Sequence, residues 1–323
     1  MKKYIATKCL LLGVVVASAM TACSSDKDEP LMPQDDRIPV VFSTTDMSVT
    51  TRANEDKMTS PQMVAQAGGF GVFAYYTNGN GSTDGAYNAS STPNFMYNQQ
   101  VTGTDAVAPV WSYTPLKYWP NEIGATAKSS HVDKLTFFAY APYIAATAVT
   151  TSNITGFSLN SDTGDPWLTY SSPKTTAGYD VVYAKVVDMA KPDIDDKVTL
   201  NFSHALASLS FEITNTSGLD LQKIEVYGWR TAGIRTAGKL NLNTGAWSEV
   251  TTVKDKTVVV FEKAADPLPL TGGNWKVIPD DNDQEFFVRI YFKEGTNMRW
   301  LPEIPFKEKF EAGKNKITQI TIP

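Results

Sequence analysis

The chain has 323 residues, a formal net charge of −5, 2 cysteines and 2 histidines, and 42% of its residues are hydrophobic. An acidic chain without a basic run is a poor partner for nucleic acid, because phosphate neutralisation needs clustered Lys and Arg. So few histidines and cysteines leave almost nothing for a zinc site or a Cys/His nucleophile pair, while the apolar content suffices for real cores in a length that suits two domains.

The chain opens with Lys2, Lys3 and Lys8, then an apolar run from Cys9 to Met20. A membrane-spanning helix needs about 20 apolar residues, so this shorter run reads as the core of a secretory signal. Met20-Thr21-Ala22-Cys23 has the form of a bacterial lipobox. Residues 1–22 are then a lipoprotein signal peptide, cut before Cys23, whose thiol and amine are acylated. Two acyl signals make a stable anchor where one is marginal. With Cys23 the only cysteine left, no disulfide framework is possible. Residues 23–37 begin Cys23-Ser24-Ser25-Asp26-Lys27-Asp28-Glu29-Pro30. Such a polar stretch cannot bury anything and reads as a flexible tether. Its acidic character also suits an export tag to the outer face of the outer membrane.

From Ile38 onward the chain is β-rich. Apolar runs of strand length recur between Gly, Asn, Asp, Ser and Pro: Ile38–Phe42, Phe70–Tyr76, Leu135–Tyr140, Val181–Val187 and Val198–Phe202. The series continues with Leu209–Ile213, Ile224–Tyr227, Val258–Phe261, Phe286–Phe292 and Ile317–Ile322. Leu209, Phe211 and Ile213 alternate with Ser210, Glu212 and Thr214, the period of a strand. Leu240 to Trp247, through Asn243-Thr244-Gly245, reads as a hairpin. Only Pro61 to Ala67 suggests a helix, with Pro61 in its first turn. Helical crossovers between strands are missing, so antiparallel sandwiches are expected rather than a parallel α/β sheet. Tyr76 to Pro93 reads as a long surface loop. The charged stretch Asp188–Asp196 suggests a boundary, which gives domains 38–190 and 191–323.

Catalytic constellations do not emerge. His204, set among apolar neighbours, reads as a packed histidine, and His131 as exposed. Neither a Gly-x-Ser-x-Gly elbow nor a phosphate loop occurs. The acidic turns Asn160–Asp165 and Asp280–Glu285 could offer oxygen ligands to calcium, but lack the spacing of a calcium loop and read as solvated turns. No cofactor or metal is expected, and the chain is not expected to be an enzyme. Trp111, Tyr113 and Trp119, clustered around Pro115 and Pro120, read either as a glycan-binding platform or as core packing under a loop.

Several stretches in order carry a resemblance: the lipobox at Cys23, Ile38-Pro39-Val40-Val41-Phe42, Thr50-Thr51-Arg52-Ala53, Lys134 to Pro142, Asp180 to Ala184, Val198 to Leu209 with its His204-Ala205-Leu206-Ala207, and Phe310 to Thr318 with Ala312-Gly313-Lys314-Asn315. The chain resembles the fimbrillins, the type V pilins made as lipoprotein precursors. The resemblance implies an all-β fold of two transthyretin-like β-sandwich domains in tandem. It also implies a cell-surface fimbrial subunit with a role in adhesion, anchored by lipid in the outer membrane before processing. An arginine-specific protease would cut between Arg52 and Ala53 and remove the first strand, about Ile38 to Thr51, with Ile38, Val40 and Phe42. A donor strand from another fimbrial subunit would then fill the groove. Stalk fimbrillins carry extra strand material after the sequence that ends here at Ile320-Thr321-Ile322-Pro323, which suggests an acceptor at a fimbrial tip. A non-polymerising glycan-binding outer-membrane lipoprotein is the alternative.

Overall fold

The computed structural model describes residues 37–45, 58–65, 68–79, 83–105, 108–120, 132–148, 153–172, 180–192, 195–228, 233–252, 257–263 and 270–323. Within these, one short α-helix and a single 3-10 turn at Ala146–Ala148 accompany a succession of strands. In chain order they are β1 (Phe42–Thr44), α1 (Ser60–Ala65), β2 (Phe70–Thr77), β3 (Met96–Gly103), β4 (Trp111–Ser112), β5 (Lys134–Ala141), β6 (Ile154–Phe157), β7 (Trp167–Ser171), β8 (Val182–Ala190), β9 (Val198–Leu200) and β10 (Ser203–His204). There follow β11 (Ala207–Asn215), β12 (Asp220–Tyr227), β13 (Arg235–Asn241), β14 (Trp247–Thr252), β15 (Thr257–Glu262), β16 (Leu270–Val277), β17 (Gln284–Glu294), β18 (Asn297–Trp300), β19 (Ile304–Glu308) and β20 (Asn315–Ile322). The chain is all-β, as its residue pattern implies.

The helix forms where the sequence signals it. Thr59 and Gln62 make a reciprocal capping box: the Thr59 amide donates to Gln62 Oε1 at 2.8 Å, and the Gln62 amide donates to Thr59 Oγ1 at 3.4 Å. Together they occupy amide groups that the first turn leaves orphaned.

A six-stranded sheet in the order β10-β8-β5-β2-β3-β4 runs through the first half. Its central strands are buried on both sides. Phe70, Val72 and Ala74 of β2 enter one core with Leu135, Phe137 and Ala139 of β5. Phe73 and Tyr75 enter another with Phe138 and Tyr140. That is why these two stretches read as continuous apolar runs instead of alternating ones. The second of these cores is closed by a four-stranded sheet, β14-β13-β7-β6, through Leu168, Tyr170 and Leu240. This sheet joins strands from before and after residue 190.

The second half holds its own sandwich. A three-stranded sheet, β16-β11-β20, faces β15-β12-β17-β18, with β19 also paired to β17. Leu209, Phe211 and Ile213 meet Ile224, Val226, Phe286, Val288 and Ile290 between the layers, the usual way two sheets share a core. Alternate residues of β12 and β17 lie on the opposite, outer face. There Tyr227 stacks on Phe287 at 5.7 Å, Arg289 lies 4.7 Å from the Tyr227 ring centroid, and Lys223 lies 4.6 Å from that of Tyr291.

The loop expected over Tyr76 to Pro93 lies between β2 and β3, exposed at Ala86, Asn88, Ala89 and Ser90, and is pinned at Tyr87. The Tyr87 amide donates to Asp188 Oδ1 at 2.7 Å, its hydroxyl donates to Asp165 at 3.1 Å, and its ring packs edge-on against Tyr75 and Phe138. Strand β8 also continues through Asp188 to Ala190. Asp188 takes a positive φ of 53° there, which a short polar side chain tolerates, and its amide donates to Thr136 Oγ1 at 2.8 Å.

Candidate functional site: the cleft under the first strand

The segment from Ile38 to Thr45 is an insert between two partners. On one edge the Val40 amide donates to the Lys117 carbonyl, and the Trp119 amide donates to the Ile38 carbonyl, both at 2.9 Å. Pro39 and Tyr118 form the antiparallel bridge between these bonds. The segment then turns to another neighbour. Phe42, Ser43 and Thr44 pair in parallel with Val198, Thr199 and Leu200. The Val198 amide donates to the Val41 carbonyl at 2.8 Å. Among the described residues β9 has no other ladder partner than β1.

Side chains seat the insert more firmly than this short ladder does. Val40 is fully buried and Phe42 is 3% exposed. The Phe42 ring meets Phe137 edge-on at 5.6 Å, Phe70 at 6.0 Å and Tyr113 at 5.7 Å. Burying two such side chains contributes about 1.5–3 kcal/mol each. Polar groups fix the register. The Tyr113 hydroxyl donates to the Val40 carbonyl at 2.8 Å, and the Trp111 indole N–H donates to Thr44 Oγ1 at 3.2 Å. Further along, Thr45 Oγ1 donates to Asn201 Oδ1 at 2.9 Å. Burial pushes the Tyr113 phenol up to about 12, so it remains a donor at physiological pH.

The structure therefore brings together two groups that the sequence keeps apart. Ile38, Val40 and Phe42 are the insert, and Trp111, Tyr113 and Trp119 are walls of its cleft. Of the two readings of the aromatic trio, its burial favours core packing. Trp111 and Trp119 are 6% and 5% exposed. Trp111 packs on Phe70 at 4.8 Å and Trp119 on Phe137 at 6.0 Å, so neither presents an open face to a sugar. Cys23, Arg52 and Ala53 lie outside the described residues, as does His131.

The remaining candidates have structural partners. His204 Nδ1 pairs with the buried carboxylate of Asp180, whose other oxygen accepts the Val181 amide at 2.9 Å. Asp165 ties the 160s turn to the β13–β14 hairpin by accepting from Asn241 and Asn243 at 3.0 and 2.9 Å. Asp280 is ion-paired with Arg235. Among the described residues no group of three or more His, Cys, Asp or Glu side chains is placed to hold a metal ion.

These features define an all-β sandwich protein whose core is completed by its own first strand. The sequence profile described as fimbrillin-like matches residues 51–323, and the chain belongs to that family, one of structural proteins of cell-surface fimbriae. It is 29% identical over 206 residues to fimbrium subunit Fim1C of Phocaeicola vulgatus, a match covering 62% of this chain and 49% of that protein; the chain thus spans about half the length of this curated relative. Its fold is similar to the crystal structure of a fimbrial protein from Bacteroides vulgatus, with a TM-score of 0.59 at 19% identity, covering 88% of this chain and 95% of that one. A Bacteroides uniformis protein assigned to cell adhesion aligns with a TM-score of 0.50 at 18% identity, over 90% and 94% of the two chains.

Proposed function

We propose that this fimbrial-family chain is exported as a lipoprotein acylated at Cys23, held at the outer membrane, and cut by an arginine-specific protease between Arg52 and Ala53. Release of the first strand opens the cleft, and a strand donated by another fimbrial subunit refills it. The observation that carries this reading is the build of the insert: three ladder pairs to β9 hold a segment whose Val40 and Phe42 complete the core. Removing it leaves unpaired N–H and C=O groups beside an open apolar slot. A strand from another chain satisfies both at once, and a head-to-tail contact of that kind propagates as a filament. Strand β20 is fully engaged with β11 within its own chain, which supports an acceptor role, as at a fimbrial tip, with adhesion as its purpose.

The tandem of two transthyretin-like sandwiches belongs to the same proposal. Two of the three cores support it, one around Phe42, Phe70 and Phe137 and one around Phe211, Trp275 and Phe286, while the third draws on strands of both halves. The pairing of β9 and β10 with β1 and β8 supports a reading in which these two short strands belong with the first sandwich.

The test is the intact mass before and after an arginine-specific protease, with native electrophoresis alongside. A cut after Arg52 that leaves a folded Ala53–Pro323 body supports strand removal. A ladder in that sample makes the protein a stalk subunit, and a cleaved monomer that binds an added Ile38–Thr51 peptide makes it an acceptor. Resistance at Arg52, with the body folded, overturns the proposal and leaves a permanent first strand.

A further inference from the structure

The cleft that the first strand fills is not a uniform apolar slot, and its present occupant is a template for what fits. Val40, Phe42 and Thr44 point inward while Val41, Ser43 and Thr45 point outward, the period of a strand. Val40 and Phe42 are buried and Thr45 is exposed. Each inward position meets different chemistry. At Phe42, Phe70 and Phe137 meet the ring edge-on, with interplanar angles of 85° and 88°, and Tyr113 meets it tilted at 54°. Rings placed edge to face attract one another beyond the area they bury, and an aliphatic side chain in the same place forfeits that part.

At Thr44 the hydroxyl is held by two polar groups. It accepts from the Trp111 indole N–H at 3.2 Å and shares a hydrogen bond with Ser60 Oγ at 3.0 Å. Ser60 opens α1 and is 1% exposed. An apolar residue at this position takes the partner from both groups, and leaving a buried polar group unpaired costs more than the bond itself contributes. At Val40 the side chain is buried, but the hydrogen bond is to the backbone, whose carbonyl accepts from the Tyr113 hydroxyl at 2.8 Å. Any residue supplies that carbonyl. Val40 thus sets depth, whereas Phe42 and Thr44 set identity. Direction is set too, because the segment lies parallel to β9 from Phe42 to Thr44. A reversed strand would carry its hydroxyl to the Val40 position, inside the core.

We propose that this cleft is selective: the strand it takes from another subunit runs parallel to β9 and carries an aliphatic residue, an aromatic residue and a Ser or Thr at successive inward positions. Phe70, Phe137 and Tyr113 read the ring, and Trp111 with Ser60 reads the hydroxyl. Such selectivity presupposes strand addition as proposed above, and it defines the donor. This chain's own last strand is not that donor. Asn315–Pro323 contains no aromatic residue, and its inward Ile320 and Ile322 offer the ring cage only an isoleucine.

The test uses the full chain with Val40→Ala and Phe42→Ala, which loosen its own insert without relying on a cut at Arg52. A fluorescent Ile38–Thr51 peptide is titrated against it by anisotropy. The peptide is expected to bind, about tenfold more weakly with Phe42→Leu and about fivefold more weakly with Thr44→Val. Val41→Thr, an outward change, leaves its affinity unaltered. The loss from Thr44→Val shrinks when the chain also carries Trp111→Phe, which removes the indole donor. An Asn315–Pro323 peptide is expected to bind at least about tenfold more weakly than Ile38–Thr51. Equal affinity for the native, Phe42→Leu and Thr44→Val peptides overturns the selectivity and leaves strand addition standing, as does equal binding of Asn315–Pro323. Binding of no peptide overturns both. Where circular dichroism shows the loosened chain unfolded, the same preferences are read in the otherwise native chain. There Phe42→Leu and Thr44→Val are each expected to speed amide exchange at Val198–Leu200 by similar factors, and Val41→Thr is not. Exchange unchanged by the first two overturns the proposal.

Discussion

The strands at the two ends of the described fold, β1 and β20, are both paired in parallel, yet they are held by different means. β20 matches β11 at eight successive positions, from Ser208↔Asn315 to Asn215↔Ile322. Backbone bonds of 2.9 Å from Ser208 to Lys314 and of 2.8 Å from Thr216 to Ile322 close its ends, and Ile320 and Ile322 are buried. β1 has three such positions, but its segment places Val40 and Phe42 in the core as completely as β20 places its isoleucines. A long ladder commits a strand to one chain and one register. A short ladder with deep side chains asks for apolar residues at the right depth, which is what the proposed donor strand would supply. The contrast is between a strand defined by its backbone and one defined by its plugs.

Excision is the harshest way to break this comparison. Deleting residues 315–323 strips β11 of its parallel partner along its whole length and is expected to abolish cooperative unfolding of the second sandwich. Deleting residues 1–45 is expected to leave a folded chain that binds hydrophobic dye in its open cleft. Equal loss of structure in both deletions, by circular dichroism, would end the distinction. Phe42→Ala comes next: it is expected to cost about 3–5 kcal/mol and to be read chiefly as faster amide exchange at Val198–Leu200, with β11 and β20 unaffected.

Alkali sharpens the comparison from the middle layer. Burial pushes the phenols of Tyr75, Tyr140 and Tyr170 well above their ordinary range, and burial with the nearby Asp165 carboxylate does the same for Tyr87. In the unfolded chain these groups ionise near pH 10. Their contribution is therefore complete below about pH 10 and lost as pH rises beyond it, because the unfolded chain then releases protons that the fold retains. The urea midpoint is expected to hold between pH 7 and 9 and to fall by pH 11, with exchange rising first around Leu168, Tyr170 and Leu240. The smallest effect is at the register lock. Tyr113→Phe removes the donor to the Val40 carbonyl and is expected to cost about 1 kcal/mol, seen as a modest rise in protease sensitivity near β1 with the cleft still closed.

Much of the framework is legible in the residues, and the exceptions have identifiable causes. Phe70–Tyr76 and Leu135–Tyr140 announce themselves because both faces of those strands are buried. β3 does not, since its Asn98, Gln99 and Gln100 spend their side chains on hydrogen bonds to the Ile144, Gln100 and Gly68 carbonyls, and Asn98 has a positive φ of 43°. β18 is exposed at every position, so it has no apolar period to read. The aromatic trio shows the limit for the site. β4 is two residues long, too short for alternation to say which way Trp111 faces. The proline-flanked context resembles a surface loop, and only the seated first strand reveals that these rings look inward.

The insert also has a history within each molecule. Ser43 and Thr199, whose hydroxyls meet at 3.1 Å, are 156 residues apart in the chain. Closing a loop of that length carries an entropic cost of about 4–5 kcal/mol by the logarithmic scaling of chain closure, and contacts so distant form late. The first strand to be synthesised thus cannot complete its ladder until β9 has been made. A donor strand of the kind proposed would replace a contact that the chain makes only at long range, at the joint of its earliest and latest parts of the first sandwich.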